Sequence, residues 1–215
     1  MLLDFHTHHL NSQGIYNLIV KERNELPSQF FSAGIHPWYM TPTSLPLQYT
    51  QLRHFLSMKN CLALGEIGLD RLCDTPWDLQ VTVLEKQLEI AAEFKKPIIF
   101  HCVKAQQDLL LRKKGSPLPW IIHGFNQKTS IGNAWLQQGC LLSFGKALLH
   151  EDSNASRFIR ETPLDKLFLE TDDAEQSIET IYKTASERLH LPLEKLAAIL
   201  QDNYHSIFNL DHAGH

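Results

Sequence analysis

No stretch of this sequence approaches the roughly 20 consecutive apolar residues that a membrane-spanning helix requires, so no transmembrane reading arises. The four cysteines, Cys61, Cys73, Cys102 and Cys140, form no Cys-x-x-Cys pair and no close spacing. That favours reduced thiols over a disulfide framework or a structural zinc knuckle. An excess of either charge is also missing: 20 basic residues face 24 acidic ones, for a formal net charge of −4. A whole-protein basic field that would draw in nucleic acid is therefore absent, and any such contact is expected to be local. The start of the chain lacks the basic-then-apolar pattern of a secretory leader, because Asp4 and His6 interrupt it, and a cytoplasmic location is expected. Repeats, low-complexity tracts and linkers are lacking too. With 215 residues, 43% of them hydrophobic, a single domain over 1–215 is expected.

What is present is a recurring unit: a short apolar run, then a polar residue, then a helical pattern. Eight runs read as strands, namely Leu2–Phe5, Ile15–Val20, Phe30–Ile35, Cys61–Gly65, Pro97–Phe100, Trp120–Ile122, Cys140–Phe144 and Lys166–Leu169. Several are continuously apolar, as strands of a parallel sheet covered on both faces are. Ser44 is placed to cap a helix bearing Leu45, Tyr49, Leu52 and Leu56. Another runs from Trp77 to Lys95 and is stopped by Pro97. Shorter helices are expected over Ala105–Lys114, Ser130–Gln138 and Ser153–Arg160, and two final ones over Glu175–Leu189 and Leu193–Phe208. Strands alternating with helices predict an α/β fold, a TIM-type (β/α)8 barrel. About nine residues separate each of the first three strands, short of the 10–12 that a helical crossover needs. The early helices are thus reduced, and a second copy of the chain would cover the thin flank as a homo-oligomer.

The polar residues fall at one register. His6 and His8 end the first strand, His36 follows the third, and Glu66, His101 and His123 end the fourth, fifth and sixth. Ser143 and Lys146 lie at the seventh, and Asp172 lies just past the eighth. In a parallel barrel these positions share the C-terminal mouth, where barrel enzymes place their chemistry. Buried His and carboxylate groups are costly without partners, and divalent metals satisfy both. His-x-His on a strand puts both rings on one face. Glu66 is expected to bridge two metals roughly 3.5–4 Å apart, with Asp172 as a ligand that also accepts the proton of the attacking water. The expected metal ligands are His6, His8, Glu66, His101, His123 and Asp172, with Glu66 and Asp172 catalytic. Zn, Mn, Fe, Ni and Mg are not distinguished by such a set. The other histidines, His9, His54, His150, His190, His205, His212 and His215, lie outside this register.

These residues occur in strings that resemble the TatD family of metal-dependent hydrolases. Asp4-Phe-His6-Thr-His8 resembles its opening motif, Gly34-Ile-His36-Pro37-Trp38 its Gly-x-His-Pro element, and Gly65-Glu66-Ile-Gly-Leu-Asp70 its most specific string. The Gln80–Gln87 helix leading to His101, then His123, Leu169-Glu-Thr-Asp172 and Asn203 to Phe208 follow in order. The resemblance implies a TIM-type barrel, two divalent metal ions, and deoxyribonuclease or other phosphodiesterase activity. It places His6, His8, Glu66 and Asp172 on one metal and Glu66, His101 and His123 on the other, with His36 near the substrate. Three places depart from the family pattern: Cys102-Val103, Gly124-Phe-Asn-Gln127, and Asp173-Ala-Glu175 running almost directly into a helix.

The reading of function is a metal-dependent phosphodiesterase, a 3′-5′ exonuclease on single-stranded DNA or an enzyme for another phosphodiester. His36, Arg71, Lys104 and Lys146 are the expected substrate contacts, and Trp38, Tyr39 and Phe125 are candidates for stacking on a base. The basic cluster Arg112-Lys113-Lys114 reads as a solvated face away from the mouth. A second reading is an amidohydrolase acting on a small cyclic amide, ester or lactone, since the same ions polarise a carbonyl. A third is a non-catalytic descendant that binds metal or a partner.

Overall fold

The computed structural model describes residues 2–10, 13–21 and 23–208. Eight strands form one sheet in the order β1-β2-β3-β4-β5-β6-β7-β8. They are β1 (Asp4–Thr7), β2 (Gly14–Ile19), β3 (Phe31–Gly34), β4 (Cys61–Asp70), β5 (Ile98–Val103), β6 (Trp120–Ile122), β7 (Leu141–Phe144) and β8 (Leu167–Leu169). Among the described residues seven α-helices accompany them: α1 (Leu45–Leu56), α2 (Trp77–Phe94), α3 (Gln106–Lys113), α4 (Thr129–Gln137), α5 (Asn154–Phe158), α6 (Ile178–Leu189) and α7 (Leu193–Phe208). Parallel strands in sequence order, alternating with helices, make this a (β/α)8 fold of the TIM type. As expected, no helix lies among the described residues between β1 and β2 or between β2 and β3. The chain clusters into two compact units, a central one of residues 15–121 and a terminal one of residues 1–14 with 122–215.

In the central unit, β3 pairs in parallel with β2 and β4, and β4 with β5. All ten residues of β4 are buried, as in a strand covered on both faces. Sequence reasoning ended this strand at Gly65, because Glu66 and Asp70 are polar. The chain stays extended through both because each carboxylate is hydrogen-bonded, Glu66 to Asn17 and Asp70 to Trp38 and Leu72. Gly68 is paired with His101 at φ +153, and a Cβ there would lie 2.0 Å from the His101 carbonyl oxygen. Only glycine lets β4 and β5 approach so closely at this point. Helix α2 buries Val83, Leu84, Ile90 and Ala91 against the sheet and ends at Lys95, which is left-handed (φ 53), ahead of Pro97. Two buried glutamines on the same helix tie it to the strand ends. Gln80 bonds the Asp70 backbone through both amide atoms, and Gln87 does the same for Ile35. Ser44 precedes α1 as expected, but its hydroxyl bonds the Gln48 side chain and the Thr41 carbonyl and does not cap the helix.

In the terminal unit, β7 pairs in parallel with β8, and Thr7, the last residue of β1, bridges Asp172 beyond the end of β8. Phe5 stacks on Phe168 with ring centroids 4.2 Å apart. Phe125, Phe144 and Phe158 form a second aromatic group around α4 and α5, where Gly132 faces the Phe158 ring. Ser153 caps α5 and Ser177 caps α6, each accepting a bond from a first-turn N–H. The Ser177 cap explains why α6 starts at Ile178 and not at the expected Glu175. Asn203 on α7 donates to the carbonyls of Leu164 and Leu167, so the closing helix holds the entry to β8.

Candidate metal centre

Side chains two apart on β1 share a face, and Asp4, His6 and His8 use that period. Asp172, two residues beyond β8's last neighbour Glu170, is locked to this strand by its backbone. Its N–H donates to the His6 carbonyl at 2.9 Å, and its own carbonyl accepts from His8 N–H at 2.9 Å. This pairing holds Asp172 at φ 56, a left-handed conformation that Asp tolerates better than most residues. The result is convergence on one carboxylate oxygen. Asp172 Oδ1 lies 3.7 Å from His6 Nε2 and 3.4 Å from His8 Nε2. The nearest potential ligand atoms of the three residues all lie within 4.8 Å of one another. Two imidazoles and a carboxylate are a donor set that fits a divalent transition metal.

Supports stand behind these groups. The buried Asp4 carboxylate accepts from Thr171 N–H (2.9 Å) and from the Thr171 hydroxyl (2.6 Å), and the Thr7 hydroxyl lies 2.9 Å from the latter. Burial raises the Asp4 pKa to about 6, with the Thr171 bonds working in the opposite direction. The His6 and His123 rings lie 4.6 Å apart. His123 Nδ1 is 3.4 Å from Glu170 Oε1, which accepts the Gly124 N–H at 2.6 Å. Glu170 and Thr171 carry no role in the sequence reading. Their only signal is position inside the Leu169-Glu-Thr-Asp172 string.

The central unit carries a second group. Glu66 Oε1 lies 2.8 Å from His101 Nδ1 and 3.3 Å from His36 Nε2. Asn17 holds the other side of this glutamate: its Nδ2 donates to Glu66 Oε2 (3.0 Å), and its Oδ1 accepts the Glu66 N–H (2.9 Å). Sequence reasoning missed Asn17, although an asparagine inside the apolar run of β2 is the available signal. His36 Nδ1 accepts the Trp38 N–H at 3.2 Å, so the neutral ring carries its proton on Nε2, toward Glu66. His36, Glu66 and His101 all lie close enough to share an ion.

Asp70 completes the group. Its Oδ2 lies 3.2 Å from His101 Nε2 and accepts the Trp38 indole N–H at 2.7 Å, while its Oδ1 accepts the Leu72 N–H at 2.7 Å. Burial pushes the Asp70 pKa up, but these bonds outweigh it and hold the carboxyl below its ordinary value. Each ring nitrogen of His101 thus faces a carboxylate, Glu66 at Nδ1 and Asp70 at Nε2, so a metal taken at Nδ1 would leave the Nε2 proton to Asp70.

The profile of TatD related DNases matches residues 5–209. The chain belongs to the TatD family. A metal-dependent hydrolase named YjjV from Escherichia coli is 25% identical over 84% of this chain and 77% of its own length. A 3′-5′ ssDNA/RNA exonuclease TatD from Erwinia amylovora is 30% identical over 74% of this chain and 68% of its own. The crystal structure of E. coli YjjV superposes with a TM-score of 0.81 over 97% of this chain and 98% of that one, at 22% identity, and shares its fold.

Several expected contacts of this TatD family hydrolase are engaged elsewhere. Arg71 pairs with Asp108 at 2.8 Å and stacks on Trp77 at 3.8 Å. Lys146 is tied to Asp173. Phe125 is 1% exposed and packs on Phe144 and Phe158, so it offers no stacking surface; an aromatic just after a strand was taken for a mouth residue when it is core. Lys113 is not solvated as expected: its ammonium turns inward to the carbonyls of Ser116 and Leu118. Lys104 is exposed, directly after β5. Trp38 and Tyr39 are exposed, and Lys21, absent from the sequence reading, lies 4.6 Å over the Tyr39 ring. His9, read as uninvolved, bonds the Ala174 carbonyl through Nε2. His212 and His215 lie outside the described residues.

Proposed function

We propose that this TatD family hydrolase is a phosphodiesterase using two divalent ions, and that its substrate is single-stranded DNA or RNA trimmed from the 3′ end. The observation that carries this reading is the convergence of His6 Nε2 and His8 Nε2 on Asp172 Oδ1, at 3.7 and 3.4 Å. The TatD exonuclease from Erwinia amylovora, named for ssDNA and RNA, supports the substrate class.

In this reading His6, His8 and Asp172 hold one ion, and Glu66 and His101 hold ligand positions for the other. When bound, such ions supply a nucleophile at neutral pH and offset charge on the attacking and leaving oxygens. The chain's own groups do the rest. Asp172 takes the proton released by the attacking water, its orientation set by the two backbone bonds to β1. Asn17 and His36 hold the Glu66 carboxylate from two sides. Lys104, exposed just past β5, is the expected cation not committed to a protein carboxylate among the described residues, and it meets the phosphate.

The test is incubation of metal-reconstituted protein with 5′-labelled single-stranded DNA, using Asp172→Asn as control. A ladder that shortens from the 3′ end in the wild type, and at least about 100-fold more slowly in the variant, is expected, as for loss of a positioned base. Absence of cleavage with every divalent metal would instead favour small cyclic amides, esters and lactones as substrates.

A further inference from the structure

We propose that the groove beside Trp38 is a nucleobase subsite, selective for bases that carry an exocyclic amine. The proposal rests on the phosphodiesterase reading and adds to it what the enzyme grips besides the phosphate.

The groove encloses about 530 Å³ and is lined by Trp38, Asp70, Leu72, Cys73, Asp74, Thr75 and Val103. That volume lies within the range of small-molecule pockets, about 300–1,000 Å³. Two large apolar side chains stand in its walls, Trp38 at 55% and Leu72 at 64% exposure.

Trp38 is exposed without being loose. Its indole N–H is bonded to Asp70 at 2.7 Å, and its ring stands edge-on to His36 (5.0 Å) and His101 (5.6 Å). A ring fixed before binding loses little rotamer freedom on stacking, so more of the contact energy appears as affinity. Its position also selects the occupant. The ring touches His36 and His101, the residues that face Glu66, so a base seated on it belongs to a nucleotide next to the scissile phosphate.

The polar groups of the lining narrow the choice further. Cys73 Sγ bonds the Asp70 carbonyl and accepts from Gln80, and the Thr75 hydroxyl donates to the Pro37 carbonyl. Asp70 has both oxygens occupied by Trp38, His101 and Leu72. What faces the groove is an apolar body and one exposed carboxylate, Asp74. No Lys, Arg or His lines it among the described residues, so a phosphate finds no cationic side chain there. An aromatic face beside an acceptor-only group suits the flat ring and exocyclic N–H₂ of cytosine, adenine or guanine, and Asp accepting from cytosine N4 is an established pairing. Thymine presents no such donor, and so favours this groove less.

The experiment compares short single strands ending in cytosine, thymine or an abasic tetrahydrofuran nucleotide, with metal-loaded protein. In the wild type, KM rises from cytosine to thymine to the abasic strand. Trp38→Ala raises KM on the cytosine strand by about 5- to 150-fold, the range of one lost base–aromatic stack, and Trp38→Phe recovers part of it. Asp74→Asn narrows the cytosine–thymine gap. Equal KM values for the three strands in the wild type, or no recovery by Phe, would overturn the subsite and leave the phosphodiesterase reading intact. A readout independent of cleavage is quenching of tryptophan fluorescence by deoxycytidine, which is uncharged and carries no phosphate. Quenching that is lost in Trp38→Phe, in a protein that cleaves no strand, would retain the base site and reject the nuclease. No saturable quenching in the wild type would count against the base site.

Discussion

Asp70 shows how much a single carboxylate decides in this molecule. Its Oδ2 meets both His101 Nε2 and the Trp38 indole, and its Oδ1 meets the Leu72 N–H, so every contact needs an acceptor. An asparagine offers one oxygen and one N–H₂, so Asp70→Asn must set a donor against a donor on one side. The consequence reaches the metal through the His101 tautomer. We expect this variant to bind divalent metal about 10- to 100-fold more weakly, the usual cost of losing such a support. Isothermal titration of metal into stripped protein checks it, and unchanged affinity would mean that His101 needs no help from Asp70. A second expectation concerns Cys61, whose buried thiol is pushed up to about 12, mainly by burial. At mildly alkaline pH it stays protonated and unreactive. Alkylation of the native protein therefore reaches the half-buried Cys73 well before Cys61, which is labelled only after denaturation. Comparable rates, read by peptide mass spectrometry, would show that the β4 core opens more easily than its packing implies.

At the scale of elements, glycines and glutamines set the spacing. The Gly68 position brings β5 within reach of β4, and Gln80 and Gln87 fasten α2 to the ends of β4 and β3. In the terminal unit the equivalent contact is Gly132 on α4, where an added Cβ would meet the Phe158 ring at 2.2 Å. Alanine there gains helix propensity, worth roughly 1 kcal/mol at most, but collides with a fully buried ring. Overpacking of this kind costs about 1–3 kcal/mol, so Gly132→Ala should be destabilised on balance. Chemical denaturation decides the sign; a gain in stability would show that α4 and Phe158 move apart freely.

For the whole molecule, binding of the ions is expected to contribute to folding stability, because the unfolded chain does not assemble either ligand group. An ion present at about 100 times its Kd adds about 2.7 kcal/mol, or roughly 5–10 °C of melting temperature for a chain of this size. Melting with a chelator and then with excess Zn or Mn measures this. Elemental analysis should find two ions per chain, and one ion alone would contradict the two-ion reading.

Much of this was legible from residues alone. Eight apolar runs mark the eight strands, because a strand covered on both faces must be apolar almost throughout. His6, His8, Glu66, His101, His123 and Asp172 stand out in sequence because each is a polar residue at or just after one of those runs, although β4 continues past Glu66 to Asp70 and β5 past His101 to Val103. Reach and partnership could not be read this way. That β4 continues to Asp70, that Asn17 and His36 flank Glu66, that Asp70 turns His101, and that Arg71 and Lys146 are spent on Asp108 and Asp173 all depend on side chains distant in sequence. Periodicity reports which face of an element is apolar, whereas hydrogen bonds and ion pairs between elements exist only once the strands have taken their neighbours. The chemical character of the candidate ligands was thus set by the sequence, and their orientation by the tertiary structure.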